Sequence, residues 1–111
     1  MAVKVFHSED MWGFRGDKRE NWAAWPAEFH HVATLDIDDA AALTGKAFEL
    51  TNTIDHHWWK NGGVTAHFES EAFCEVNCKK GTRSTSVGDA IMLSDGRLFK
   101  CDSIGWKEVV V

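Results

Sequence analysis

Only one long stretch of this chain repeats its apolar residues at helical spacing. In DDAAALTGKAFELTNTI, residues 38–54, Leu43, Ala47, Leu50 and Ile54 fall on one side, with Asp39, Lys46 and Glu49 on the other. Asp36 and Asp38 offer N-caps, because a short carboxylate accepts backbone N–H groups that the first helical turn leaves unpaired. Gly45 weakens the segment by about 1 kcal/mol relative to Ala, and the helix is expected to fray by Asn52. A single helix can bury its apolar stripe only against another layer, so its surroundings decide the fold.

Those surroundings have period two. Residues 2–7 (AVKVFH) read as a strand with Val3 and Val5 on one face. In residues 28–37 (EFHHVATLDI), Phe29, His31, Ala33, Leu35 and Ile37 share a face; Glu28, His30, Thr34 and Asp36 take the other, with Val32 out of phase. Residues 64–78 alternate as one long strand, or two strands broken near Ser70. Lys79, Lys80 and Gly81 read as a turn. Residues 90–93 (AIML) and 97–102 (RLFKCD) flank Ser94, Asp95 and Gly96, and Asp-Gly between two such runs signals a hairpin. A closing strand, KEVVV, follows Trp106. The expectation is a single α+β domain over residues 1–111. Its sheet is mainly antiparallel, of about five strands, open or partly barrel-like, with one main helix packed on it.

Residues 8–26 are polar and irregular, and carry Trp12, Trp22 and Trp25 among Arg15, Lys18 and Arg19. The segment is long for a structureless loop, so it is a functional loop or holds a short helix around residues 18–25.

Composition removes several classes of function. Three cysteines, Cys74, Cys78 and Cys101, are too few and too odd for a secreted disulfide framework. The N-terminus meets an acidic pair before any apolar run, unlike a signal peptide, and no segment has the length of a membrane span. The cytoplasm of a host cell is the expected address. A net charge of -5 repels phosphate, which disfavours direct nucleic-acid and membrane binding but suits docking on a basic protein surface. Six Trp and seven Phe against no Tyr raise the expectation of a recognition surface.

Each candidate constellation also has a plain structural role open to it. His67, Cys74 and Cys78 suggest zinc, but on one continuous strand His67 faces away from both cysteines, and the adjacent His56 and His57 make a poor chelate. No metal ligand and no cofactor is assigned. Arg83, Ser84, Ser86 and Asp89, in GTRSTSVGD, could cradle a phosphate or nucleotide, but the segment holds no phosphate-binding fingerprint and reads more readily as a polar turn. No acid, base and nucleophile converge in sequence, so an enzyme is not expected. Between residues 28 and 55 there are six acids against one base, Lys46. In DHHWWKNGG this acidity meets aromatics. Asp55, His57, Trp58 and Trp59 are the expected partner-binding anchors, with Asp38, Asp39, Glu69 and Glu71 supplying complementary charge. One of the two tryptophans is expected to turn inward and close the core.

The tail RSTSVGDAIMLSDGRLFKCDSIGWKEV, with Phe48, Glu49, Leu50, Thr51 and Asn52 and with Ile54, Asp55 and Trp58 before it, resembles YodL-like domains. These carry a Ser-x-Ser-Val-x-Asp segment, an apolar strand, a hairpin and an Asp-Ser-x-Gly-aromatic exit. The resemblance covers the last two-thirds of the chain and excludes residues 8–26. It implies a short phage or mobile-element protein with no assigned catalytic residues. Small acidic proteins from that setting often inhibit host defence, anti-CRISPR proteins among them. The expected function is thus binding and inhibition of a host protein, a nucleic-acid-handling defence component. A small-ligand or nucleotide-binding module is the alternative and a small enzyme the third.

Overall fold

A computed structural model describes residues 2–8, 25, 29–53, 57–70, 73–76, 79–82, 84–85, 88–102 and 105–110. Eight strands occur among them: β1 (Ala2–Ser8), β2 (Phe29–Asp36), β3 (Val64–Ala66), β4 (Cys74–Val76), β5 (Lys79–Gly81), β6 (Ala90–Met92), β7 (Leu98–Asp102) and β8 (Gly105–Val109). Six form one open sheet in the order β3-β2-β1-β6-β7-β8, and β4 pairs β5 as a separate hairpin. Every pairing is antiparallel. The α+β architecture expected from the period-two and helical segments is therefore present. The sheet has six strands rather than about five, and its ends, β3 and β8, do not close into a barrel.

The helix spans residues 39–51. Asp38 caps it, its Oδ1 accepting the Ala41 N–H at 2.7 Å. Gly45 then adopts φ 108°, outside the helical region, and kinks the helix between Ala42 and Lys46. L-side chains rarely adopt that conformation, whereas glycine does so without cost to a Cβ. The kink changes the phase of the buried stripe. Ala42, Ala47 and Thr51 are fully buried, whereas Leu43 is only half-buried and Leu50 is also half-buried. The straight-helix reading through Leu43, Ala47 and Leu50 is thus corrected by the kink at Gly45.

The helix lies on one face of the sheet. There Ala42 and Ala47 pack with Val3, Val5, Val32, Ala33, Leu35, Trp58, Phe73, Ile91, Leu93 and Phe99. The radius of gyration, 13.3 Å, matches the roughly 13 Å of a compact domain of about this length. Asp39 joins the start of the helix to the β6–β7 turn, accepting from Ser94 N–H at 2.9 Å and Ser94 Oγ at 2.8 Å. At the far end a buried polar group joins the helix to β1. Thr85 N–H donates to the Thr51 carbonyl, Asn52 Nδ2 to the Thr85 carbonyl, and Thr85 Oγ1 lies 3.0 Å from His7 Nε2.

β2 departs from simple alternation. Val5 pairs with Ala33 but the next residue, Phe6, pairs with His31, so Val32 is an extra residue, a β-bulge. Val32 and Ala33 are both fully buried. Beyond the bulge the phase is reversed. Phe29 and His31 pair with Ser8 and Phe6, on the face opposite Ala33 and Leu35. The single face expected for Phe29, His31, Ala33 and Leu35 is therefore split in two.

Of the two readings of residues 64–78, the one with two strands broken near Ser70 is present. β3 ends at Ala66, and a turn follows in which Ser70 N–H donates to the His67 carbonyl and Phe73 N–H to the Ser70 carbonyl. β4 then leaves the main sheet to pair with Lys79–Gly81, which is a strand and not a turn. The hairpin expected around Asp95 is present: Gly96 sits at φ 93° and donates its N–H to the Leu93 carbonyl. Apart from Trp25, the tryptophan-bearing segment of residues 8–26 lies, past Ser8, outside the described residues.

Candidate functional site

The Trp58–Lys60 3-10 turn follows the helix and opens into β3. Asn61 fixes it, its Nδ2 donating to the Leu50 carbonyl at 2.8 Å. This turn separates the two tryptophans. Trp58 is 2% exposed and sits among His7, Trp59 and Phe73, with ring centroids 5.9, 5.6 and 6.2 Å away. It closes the end of the core and offers no surface to a partner. Trp59 is half-buried. The exposed His57 ring lies flat on it, 4.5 Å between centroids and 7° between planes. Trp59 also meets Phe73 edge-on, and Phe73 in turn meets the exposed Phe68 at 5.1 Å. His57, Trp59 and Phe68 thus form one aromatic rim with Phe73 buried beneath it.

The acids expected around this rim are spread over the molecule. Asp38 and Asp39 stand at the start of the helix and are used there as an N-cap and as an acceptor for Ser94. Glu69 is on the turn after β3, next to Phe68, and is 79% exposed. Asp36 N–H donates to the Gly63 carbonyl at the beginning of β3, so β3 itself separates the two groups of acids. Asp55 and Glu71 lie outside the described residues.

Of the phosphate-binding candidates, Arg83 and Ser86 lie outside the described residues and Ser84 is half-buried. Asp89 is fully buried. Its Oδ1 accepts the Ser8 N–H at 2.8 Å and its Oδ2 lies 3.9 Å from His7 Nε2. That carboxylate faces the interior, away from any solvent-borne phosphate.

A second constellation was not legible in sequence. On the sheet face away from the helix, His31 of β2 and His67 after β3 stand with ring centroids 4.3 Å apart. Thr34 Oγ1 lies 2.8 Å from His67 Nε2 and 3.4 Å from His31 Nε2. Glu69 Oε1 lies 3.4 Å from His67 Nδ1. Thr34 Oγ1 and Glu69 Oε1 thus flank the two nitrogens of the His67 ring. Burial, then His67 and Lys4, hold the His31 imidazole below its usual pKa. Phe6 stacks on His31 at 5.0 Å, and Trp25 packs edge-on against Phe6 and Phe29. Hydroxyl, imidazole and carboxylate in series have the order of a nucleophile relay. The His67–Glu69 contact is long and the carboxylate well hydrated, so its orienting power is weak.

Cys101 is buried, and its thiol is pushed up to about 11 by burial and by Asp89 and Asp102. It is a packing residue, not a nucleophile. Among the described residues no three His, Cys, Asp or Glu side chains are grouped to hold a metal ion, and no helix is long and apolar enough to cross a membrane. No protein family model, curated protein or solved structure matches this chain.

Proposed function

We propose that this chain is a non-enzymatic accessory protein of a phage or mobile element that binds a host protein through the rim of His57, Trp59 and Phe68. The observation that carries the reading is the rim itself. A flat imidazole–indole stack and an exposed phenyl ring stand side by side over a buried base of Phe73. Aromatic groups held rigid at a surface lose little entropy on binding and supply the anchors of protein interfaces. Glu69 beside the rim and the net charge of -5 favour a basic partner surface, as on a protein that handles nucleic acid. Inhibition of a host defence component, in the manner of an anti-CRISPR protein, is the biological form of this reading. Its support is the resemblance of the tail to YodL-like domains. The alternative, a nucleotide-binding module, is the less favoured because Asp89 is turned inward.

The test is affinity capture from host lysates at low salt, with the native chain beside Trp59→Ala and Phe68→Ala variants. A stoichiometric nucleic-acid-handling partner, released by salt and lost with both variants, is the expected result. Capture of no partner across the relevant hosts, or capture unaffected by both substitutions, refutes the reading.

A further inference from the structure

The imidazoles of His31 and His67 approach one another in a way that core packing does not require. Both are half-buried on the face away from the helix, and their Nε2 atoms converge on a single oxygen, Thr34 Oγ1, at 3.4 and 2.8 Å. Three potential donor atoms therefore meet at one place, drawn from β2 and from the turn after β3. Behind His67 stands Glu69, 3.4 Å from Nδ1. A carboxylate at the far nitrogen of an imidazole favours the tautomer whose Nε2 lone pair can turn from the Thr34 hydroxyl to a ligand. We propose that His31, His67 and Thr34 form a surface site for a borderline divalent transition-metal ion, with Glu69 as the positioning residue behind His67.

The surrounding charge selects the class of ion. Lys4 acts on His31 from β1 and opposes any cation. Glu69 favours one, but it is 79% exposed and screened by water. Net attraction is therefore weak, and binding has to come from direct bonds to imidazole nitrogen. Such bonds suit Cu2+, Ni2+ and Zn2+, whereas Ca2+ and Mg2+ demand oxygen ligands in number. Two imidazoles and a hydroxyl leave the remaining positions to water. Cu2+ is expected to bind most tightly, following the general order of divalent affinities. A bound ion would tie the turn carrying Phe68 to the centre of β2. The site stands whether or not the aromatic rim docks a protein.

Isothermal titration of the native chain with CuCl2, NiCl2 and ZnCl2 at neutral pH tests the proposal, with CaCl2 and MgCl2 as controls. One saturable site is expected for the first three ions and none for the last two. His31→Gln and His67→Gln should each weaken binding more than about tenfold, and Glu69→Gln about tenfold, the low end for such an exposed partner. Lys4→Ala should tighten it, and His57→Gln should leave it unchanged. NMR of the native chain gives an answer that does not depend on any variant folding. Substoichiometric Ni2+ or Cu2+ should broaden the ring signals of His31 and His67 before those of His57. Absence of saturable binding up to millimolar metal, affinity retained in the His31→Gln and His67→Gln chains, or broadening centred elsewhere overturns the proposal.

Discussion

Replacing Trp58 by alanine tests whether the inward tryptophan holds the core. Trp58 is 2% exposed, and the rings of His7, Trp59 and Phe73 surround it at 5.6–6.2 Å. Truncating a buried aromatic to alanine costs about 3–5 kcal/mol, from lost burial and from the cavity left behind. A domain of 111 residues unfolds with an entropy of about 230 cal/mol/K, at roughly 2.1 cal/mol/K per residue, so 1 kcal/mol corresponds to about 4 °C. Trp58→Ala should therefore lower Tm by about 13–21 °C. Trp59 keeps one edge in solvent, and its stacking partner His57 is exposed, so Trp59→Ala should cost only about 1–2 kcal/mol. The assay is thermal unfolding followed by circular dichroism, with urea titrations to check that the slope is unchanged. A Trp58→Ala chain melting within about 4 °C of the native protein, or a larger loss for Trp59→Ala, refutes this division of labour.

Other expectations follow from single features. Gly45→Ala should destabilise the fold although alanine is the better helix former, because φ 108° is strained for any side chain; urea unfolding should show a lower midpoint, and a raised midpoint would refute it. In a chain with Cys74 and Cys78 replaced by serine, Cys101 should resist a thiol reagent at neutral pH and react only on unfolding. Its thiol is pushed up to about 11, so the preference for the folded state is complete below the unfolded pKa and lost as pH rises through about 11. Asp95 is held below its usual range by the Arg97 N–H first and then by the guanidinium. Its contribution is present above the unfolded pKa and is lost as pH falls through the lower folded value. Melting curves from about pH 5 to below about pH 3 should show this acid sensitivity reduced in Asp95→Asn, and an identical pH profile in the two chains would count against it.

Local rules made much of the fold readable. The Asp38 cap needs only a carboxylate at the right offset, and the Asp-Gly turn only a glycine at positive φ, so both could be placed from neighbours in sequence. The failures came where one residue changed the phase of everything beyond it. Gly45 kinks the helix, and the stripe moves from Leu43 and Leu50 toward Ala42 and Thr51. Val32 does the same to β2. Residues 64–78 alternate on both sides of the break near Ser70, and period two left open whether they form one strand or two, because it reports which side chains alternate and not which strand they pair with.

The histidine cluster shows why the sites were harder to read than the fold. His31 and His67 are far apart in sequence, and simple alternation placed His31 on the buried face with Ala33 and Leu35. The bulge at Val32 turns it to the opposite face, against Phe6. The pairing of Ala33 with Ala66 then brings His67 beside Thr34. Without the extra residue, His31 would share the face of the core and the two Nε2 atoms could not meet at Thr34. Metal-ligand spacing in sequence could not reveal the cluster, since its members are joined only by strand register. The rim was different, because Trp58 and Trp59 are adjacent and a short turn had to send them opposite ways. Phe68, the residue that completes the rim, was not legible there, because the alternation of residues 64–78 does not set it apart from the strand positions around it. The break after Ala66 gives one turn two outputs, Phe68 toward the rim and His67 with Glu69 toward the second face.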